Sequence, residues 1–293
     1  MDFLQKDVDI TNLSNFKTRA FAKYYFEIHD RQDVDKLTDI IDFASREELP
    51  LLFVSGGTNM LFAFDIYNGI VVKNCLKGWT YDPESKILEA YSSEAISDIA
   101  IRLENDFGQN LWHRFIGLPG TIAGAVFGNA GCFGLEAESN FFEAEVLDLD
   151  SRQCLVLSKT DMSFGYRSSI LKESGKYFII KARFDLSKKI EKYSSDVDNI
   201  EFREQKQPKG NTCGSFFKNP NREQSAGLLI EKVGLKGYKL GGAYFSEKHA
   251  NFLMSDGVAT YKDLLDLIKL AQDKVKNEFQ VDLMPEVRII YNK

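Results

Sequence analysis

The sequence is poor in the residues that mark several common kinds of site. Its four cysteines (Cys75, Cys132, Cys154 and Cys213) form no C-x-x-C pair, and no histidine stands near one at metal-ligand spacing. That pattern excludes a disulfide framework or a zinc finger and reads as reduced thiols. Only three histidines occur, His29, His113 and His249, far apart along the chain, so no metal is expected unless folding brings them together. Positive charge is not in excess: 37 Lys and Arg face 43 Asp and Glu, a net charge of -6. This gives no global attraction to nucleic acid or anionic lipid, and neither is expected as a partner. No apolar run approaches the roughly 20 residues of a membrane span. The opening Met1-Asp2-Phe3-Leu4-Gln5-Lys6 lacks the basic stretch and apolar run of a signal peptide, which makes the cytoplasm the expected location. Internal repeats and low-complexity tracts are missing. So are a Walker loop and the dinucleotide fingerprint G-x-G-x-x-G.

What remains is an ordinary globular balance, 44% hydrophobic and 27% charged over 293 residues, long enough for two or three domains. Apolar residues at helical spacing over Asp33–Arg46, with Asp30 as cap, predict a helix. Pro50 opens an apolar strand, Leu51–Val54, which runs into Ser55-Gly56-Gly57-Thr58-Asn59, and Ile70–Val72 is a second strand. From Trp79 the pattern changes. Ile87–Tyr91 reads as a strand, and Ile96, Ile99, Ala100 and Leu103 share a helix face. Ala144–Leu149, Gln153–Leu157 and Tyr177–Phe184 read as antiparallel strands. Lys188–Lys209 is polar and is the linker candidate. Beyond it lie helices over Ala226–Val233, closed by Gly234, and Tyr261–Phe279, then a strand over Glu286–Ile290.

Two glycine-rich segments carry the chemistry. Glycines at 56 and 57 let the backbone approach a ligand and turn its N–H groups into a nest for an anion such as pyrophosphate; Ser55 and Thr58 add hydroxyls. Gly117–Gly134 alternates small and apolar residues with almost no charge, which suits backbone packed against a large flat ligand. Two such stretches in one chain favour a shared dinucleotide-like ligand.

At this point the sequence resembles a family. Ser55-Gly56-Gly57-Thr58-Asn59-Met60-Leu61, Gly117–Gly134, Gly165-Tyr166-Arg167-Ser168-Ser169, Gly214-Ser215-Phe216-Phe217-Lys218-Asn219-Pro220, Ser246-Glu247-Lys248-His249-Ala250-Asn251-Phe252 and Pro285-Glu286-Val287-Arg288 follow the order of the UDP-N-acetylenolpyruvoylglucosamine reductases (UDP-N-acetylmuramate dehydrogenases). The short interval from Arg167 to Ser215 resembles the subtype without an extra substrate-covering loop. The resemblance implies an α+β fold: a two-lobed FAD-binding unit of vanillyl-alcohol-oxidase type plus a third, substrate-binding domain. The implied division is 1–75 and 76–187 for the two lobes, 188–284 for the substrate domain, and 285–293 for a terminal strand carrying a catalytic glutamate.

The resemblance further implies non-covalent FAD, NADPH as hydride donor, a UDP-sugar substrate and a role in peptidoglycan synthesis; a monomer is the expectation, though the sequence does not fix the oligomeric state. Cofactor-binding residues would be Ser55 through Leu61, with Pro119, Gly120, Thr121, Gly124, Asn129 and Gly131 from the second segment. Catalysis would fall to Arg167, Ser215 and Glu286, and substrate contact to Tyr166, Lys218 and Asn219. His249 and Asn251 would support the site. The residue types suit the chemistry. Hydride addition to an enol ether builds negative charge beside a carboxylate, which a guanidinium can grip through two donors. The carbanionic product is basic enough to take a proton from serine. A glutamate helps only if protonated, or if it orients another donor. Another flavin enzyme of the same fold, or an inactive flavin-binding scaffold, would share the glycine segments but leave the runs around Ser215 and Glu286 unexplained.

Overall fold

The computed structural model describes residues 1–188, 199–221 and 223–292. The chain forms two compact units. One, here the terminal unit, comprises Met1–Tyr24, Gly57–Asn68 and Phe202–Lys293; the other, the central unit, comprises Tyr25–Gly56 and Gly69–Glu201. This division differs from the four consecutive segments implied by the resemblance, because residues 1–24 and 57–68 go with the C-terminal third.

The central unit is built on a five-stranded antiparallel sheet in the order Cys154–Ser158, Phe141–Asp148, Tyr177–Asp185, Ile87–Tyr91, Trp79–Asp82. The expected strands are there, and alternation decides which face is buried: Leu88 and Ala90, Ala144 and Val146, and Ala182 and Phe184 all point inward. The helix Ile96–Phe107 lays Ile96, Ile99, Ala100 and Leu103 into the same core. It ends at Gly108, whose left-handed φ of 63° lets its N–H reach the Glu104 carbonyl. Trp112, Phe115, Phe141 and Phe184 meet edge to face at 4.9–5.9 Å between ring centroids, a geometry aromatic quadrupoles favour. In the same unit Leu51–Val54 pairs in parallel with the strand Ile66–Asn74, Leu51 opposite Ile70.

The helix expected over Asp33–Arg46 starts earlier and tightens midway. Asp30 caps it by accepting from the Asp33 N–H, and the segments are Arg31–Asp35 and Leu37–Arg46. Lys36 between them keeps helical dihedrals, with ψ flattened to -17° towards the 3-10 value. Gly117–Gly134, expected as ligand-facing backbone, contains a short helix, Ile122–Phe127, and a two-residue hairpin pair, Gly131–Cys132 with Leu135–Glu136. Of the expected linker Lys188–Lys209, residues 189–198 lie outside the described residues and Asn199–Lys206 is a helix.

The terminal unit holds a four-stranded antiparallel sheet in the order Asn211–Ser215, Phe252–Ser255, Ala243–Phe245, Lys239–Leu240. The helices Ala226–Lys232 and Tyr261–Phe279 share its core, where Leu229, Ile230, Leu264, Ile268, Ala271 and Val275 pack with Phe216, Phe217 and Phe245. A reciprocal capping box between Thr260 and Asp263 starts the longer helix. The last strand, Arg288–Tyr291, pairs in parallel with Met60–Ala63, Arg288 opposite Met60. It begins two residues later than expected because the Glu286 and Val287 N–H groups both turn to the Phe216 carbonyl, at 2.8 and 3.4 Å. No helix among the described residues is long and apolar enough to cross a membrane.

Candidate active site

The two glycine segments meet inside the central unit. Ser55 Oγ lies 2.8 Å from Thr121 Oγ1. A Cβ on Gly56 would stand 3.2 Å from Thr121 Cγ2 and 3.6 Å from Gly120 Cα, so glycine is what allows this approach. The same Thr121 oxygen accepts from Gly124 N–H and caps the helix Ile122–Phe127. Lys73 donates its ammonium to the Ser55 carbonyl. In the terminal unit Gly57 is buried with φ 65°, and an added Cβ would fall 2.0 Å from the Leu13 carbonyl oxygen. Asn59 is tied to the last strand: its Nδ2 donates to Glu286 O at 3.3 Å and its carbonyl accepts from Arg288 N–H at 3.1 Å. Met60 accepts from Ser14 Oγ, and Leu61 is fully buried.

These segments fit an anionic cofactor. In the central unit no described residue accepts from the N–H groups of Gly56, Gly120 or Thr121, and in the terminal unit none accepts from those of Gly57 or Thr58, although Gly57 and Thr121 are buried. Buried backbone donors are nearly always satisfied, so donors left over in glycine-rich turns are suited to phosphate oxygens. Pro119, with no N–H of its own, precedes the left-handed Gly120, φ 131°.

Arg167 sits in the central unit on a tight turn. Gly165 and Ser168 exchange two backbone hydrogen bonds of 3.1 Å, which leaves Tyr166 and Arg167 at the tip. Arg167 takes a left-handed φ of 55°, a conformation that costs a non-glycine residue about 1–2 kcal/mol. Its surroundings hold it there. Lys172 Nζ donates to its carbonyl at 2.7 Å, and its guanidinium donates to the carbonyls of Asn129 at 3.4 Å and Gly131 at 3.0 Å. Tyr166, well exposed, presents its ring 5.1 Å from the same guanidinium. Asn129 is wholly buried and also left-handed, φ 42°. Its Nδ2 donates to Gly165 O and to Glu136 Oε2, and its Oδ1 accepts from Glu138 N–H. Burial, and then the neighbouring Glu138 charge, push the Glu136 carboxyl above its usual range, against the pull of Arg167. Sequence inspection picked out Asn129, Gly131, Tyr166 and Arg167. It missed Glu136, which only the hairpin brings to them.

Ser215 ends the strand Asn211–Ser215, opposite Phe252, just after a break in register that contains the left-handed Gly214, φ 79°. A bulge of this kind re-aims the side chain that follows it. Phe216 N–H donates to Asn251 O at 2.7 Å, and Phe216 O takes the Glu286 N–H. Ser215 and Glu286, far apart in sequence, thus lie on adjoining backbone in the terminal unit, and both are half-buried. Lys218 N–H bonds Met284 O beside them. Asn219 Oδ1 accepts from Ala226 N–H at the start of the helix Ala226–Lys232. His249 Nδ1 accepts from Asn251 N–H at 3.2 Å, and burial holds the imidazole below its usual pKa. The unit also has an open cleft of about 700 Å³ whose lining includes Lys209, Lys239, Tyr244, Lys248 and Asp256; of these only Lys248 lies in a family motif.

Comparison with known proteins bears on the family and the fold. Residues 30–154 match the model of an FAD binding domain, and residues 205–290 match the model of the UDP-N-acetylenolpyruvoylglucosamine reductase C-terminal domain. Curated proteins called UDP-N-acetylenolpyruvoylglucosamine reductase are similar over most of the chain. The one from Caldanaerobacter subterraneus subsp. tengcongensis is 36% identical over 88% of this chain and 85% of its own length. The one from Aquifex aeolicus is 34% identical over 97% and 94%. The crystal structure of the UDP-N-acetylenolpyruvylglucosamine reductase of Thermus caldophilus shares the fold, with TM-score 0.75 and 24% identity over 98% of this chain and 99% of that one. Fold and relatives together define an FAD-dependent oxidoreductase of α+β class. More narrowly, the chain belongs to the UDP-N-acetylenolpyruvoylglucosamine reductase family.

Proposed function

We propose that this chain reduces the enolpyruvyl ether of UDP-N-acetylglucosamine enolpyruvate to UDP-N-acetylmuramate in peptidoglycan synthesis, as a cytoplasmic monomer using NADPH. FAD, when bound, would supply the two-electron chemistry that links the nicotinamide to the terminal methylene carbon of the substrate. Donors of the segments Ser55–Leu61 and Pro119–Gly131 hold the cofactor, with Gly56 and Thr121 keeping the backbone close. Arg167 grips the substrate carboxylate and stabilises the charge that grows beside it, an interaction strongest where that charge is greatest. Ser215 gives its proton to the carbon next to the carboxylate. Glu286 orients that proton donor. Tyr166, Lys218 and Asn219 contact the substrate.

The observation that carries this proposal is the hydrogen bond from Glu286 N–H to Phe216 O, which seats the glutamate beside the strand end bearing Ser215. Two half-reactions, followed separately, test it. In Ser215→Ala, NADPH is expected to bleach the flavin under anaerobic conditions at close to the wild-type rate, while reoxidation by the enolpyruvyl sugar nucleotide fails. Survival of both half-reactions would remove Ser215 from the mechanism.

A further inference from the structure

We propose that Glu27, His29 and Cys75 of the central unit form a binding site for one divalent cation of the zinc class. One carboxylate oxygen, one imidazole nitrogen and the thiol sulfur lie within 4.8 Å of one another. The backbone builds the juxtaposition. Glu27 lies in the strand Phe21–Ile28 and His29 just beyond it, two residues on, so both side chains emerge on one face. Cys75 follows the strand Ile66–Asn74, and its N–H donates to Ile28 O at 2.8 Å, which brings the thiol within reach of both. No sequence spacing reveals this, because the third ligand arrives by strand pairing.

The donor set and its surroundings suit zinc. Oxygen, nitrogen and sulfur ligands at about 2.0–2.3 Å are its usual partners, and three protein ligands leave a fourth position for water. Glu27 Oε2 and His29 Nε2 are already 2.7 Å apart, and small side-chain rotations let a cation replace the proton between them. The carboxylate is fixed from behind by Tyr25 Oη, which donates to Oε1 at 2.6 Å, the outer-shell contact that orients metal ligands. Glu27 and Cys75 are half-buried and His29 is exposed, so the site has protein walls and an open entry. Two cations stand near. Lys73 is engaged with the Ser55 carbonyl, and Lys77 lies 3.8 Å from Glu94, so neither occupies the trio. Burial keeps Cys75 a protonated thiol in the metal-free protein; binding transfers that proton to solvent as the sulfur–metal bond forms.

The test uses the full FAD-loaded chain with zinc sulfate. After incubation and desalting, elemental analysis is expected to find one zinc per chain. X-ray absorption is expected to show one sulfur among nitrogen and oxygen ligands. His29→Ala, at an exposed position that the fold tolerates, and Cys75→Ser are each expected to weaken binding at least tenfold against a chelator. Tyr25→Phe is expected to weaken it about tenfold by loosening the carboxylate. A wild-type chain that retains no zinc, zinc retention unchanged in both ligand variants, or a spectrum without sulfur would each overturn the site. Metal content is read independently of turnover, so failure here leaves the proposed reaction standing, and the reverse also holds.

Discussion

Asn251 and Phe217 grip each other across the terminal sheet through a closed pair of hydrogen bonds. Phe217 N–H donates to Asn251 Oδ1 at 3.0 Å, and Asn251 Nδ2 donates to Phe217 O at 2.8 Å, with both residues buried. The same asparagine takes Phe216 N–H on its own carbonyl, and so fixes the two residues that follow Ser215 and receive Glu286. Asn251→Ala strands two buried backbone groups. It is expected to lower stability by about 2–4 kcal/mol, as unsatisfied buried groups do, and to lower kcat more than it raises KM. Urea denaturation and steady-state kinetics on the same preparation check this.

Adjacent glycines should respond differently to one methyl group. Gly57→Ala drives a Cβ against the Leu13 carbonyl from a left-handed backbone, and is expected to cost at least about 2 kcal/mol. Gly56→Ala meets nothing nearer than the Thr121 methyl at 3.2 Å and is exposed. That variant is expected to fold normally and to bind FAD at least tenfold more weakly. Flavin content against thermal midpoint separates the two outcomes.

His249 makes stability depend on pH. Its Nδ1 must be unprotonated to accept from Asn251, and burial depresses its pKa in the folded state. The unfolded chain takes up the proton first, near pH 6.5. The contribution of His249 is therefore complete above about pH 6.5 and is lost as pH falls through the lower folded value. Thermal midpoints measured from pH 8 to 5 are expected to drop less steeply in His249→Gln than in the wild type.

Arg167→Lys keeps the charge and loses the fork that reaches two carbonyls. We expect about a hundredfold loss in kcat/KM for the enolpyruvyl substrate, the size seen when one preorganised donor is removed. Flavin reduction by NADPH should change little. Equal losses in both half-reactions would assign the arginine to cofactor binding instead.

Local pattern made much of the fold legible. The helix Tyr261–Phe279 declared itself by apolar period, and the strands Ile87–Tyr91 and Tyr177–Asp185 by alternation. The strand Gln5–Asp9 was invisible because four of its five residues are exposed and polar and leave no alternation to read. Lys239–Leu240 and Ala243–Phe245 are too short to carry a period. At the site, motif order pointed to Arg167 and Ser215, but the clamps around them depend on pairing over distance. Asn129 works through a left-handed backbone, and Glu136 reaches it only because a hairpin folds back.

The partition of the chain has a consequence for synthesis. The central unit is complete once residue 201 has left the ribosome. The terminal unit must wait for its final strand, Arg288–Tyr291, to find Met60–Ala63. Pairings so remote along the polymer close late, because the entropy of the intervening loop is lost before any contact repays it. A nascent chain halted near its end would thus expose Leu61, Phe216 and Phe217, apolar side chains awaiting their last neighbours, and would be a natural client for chaperones.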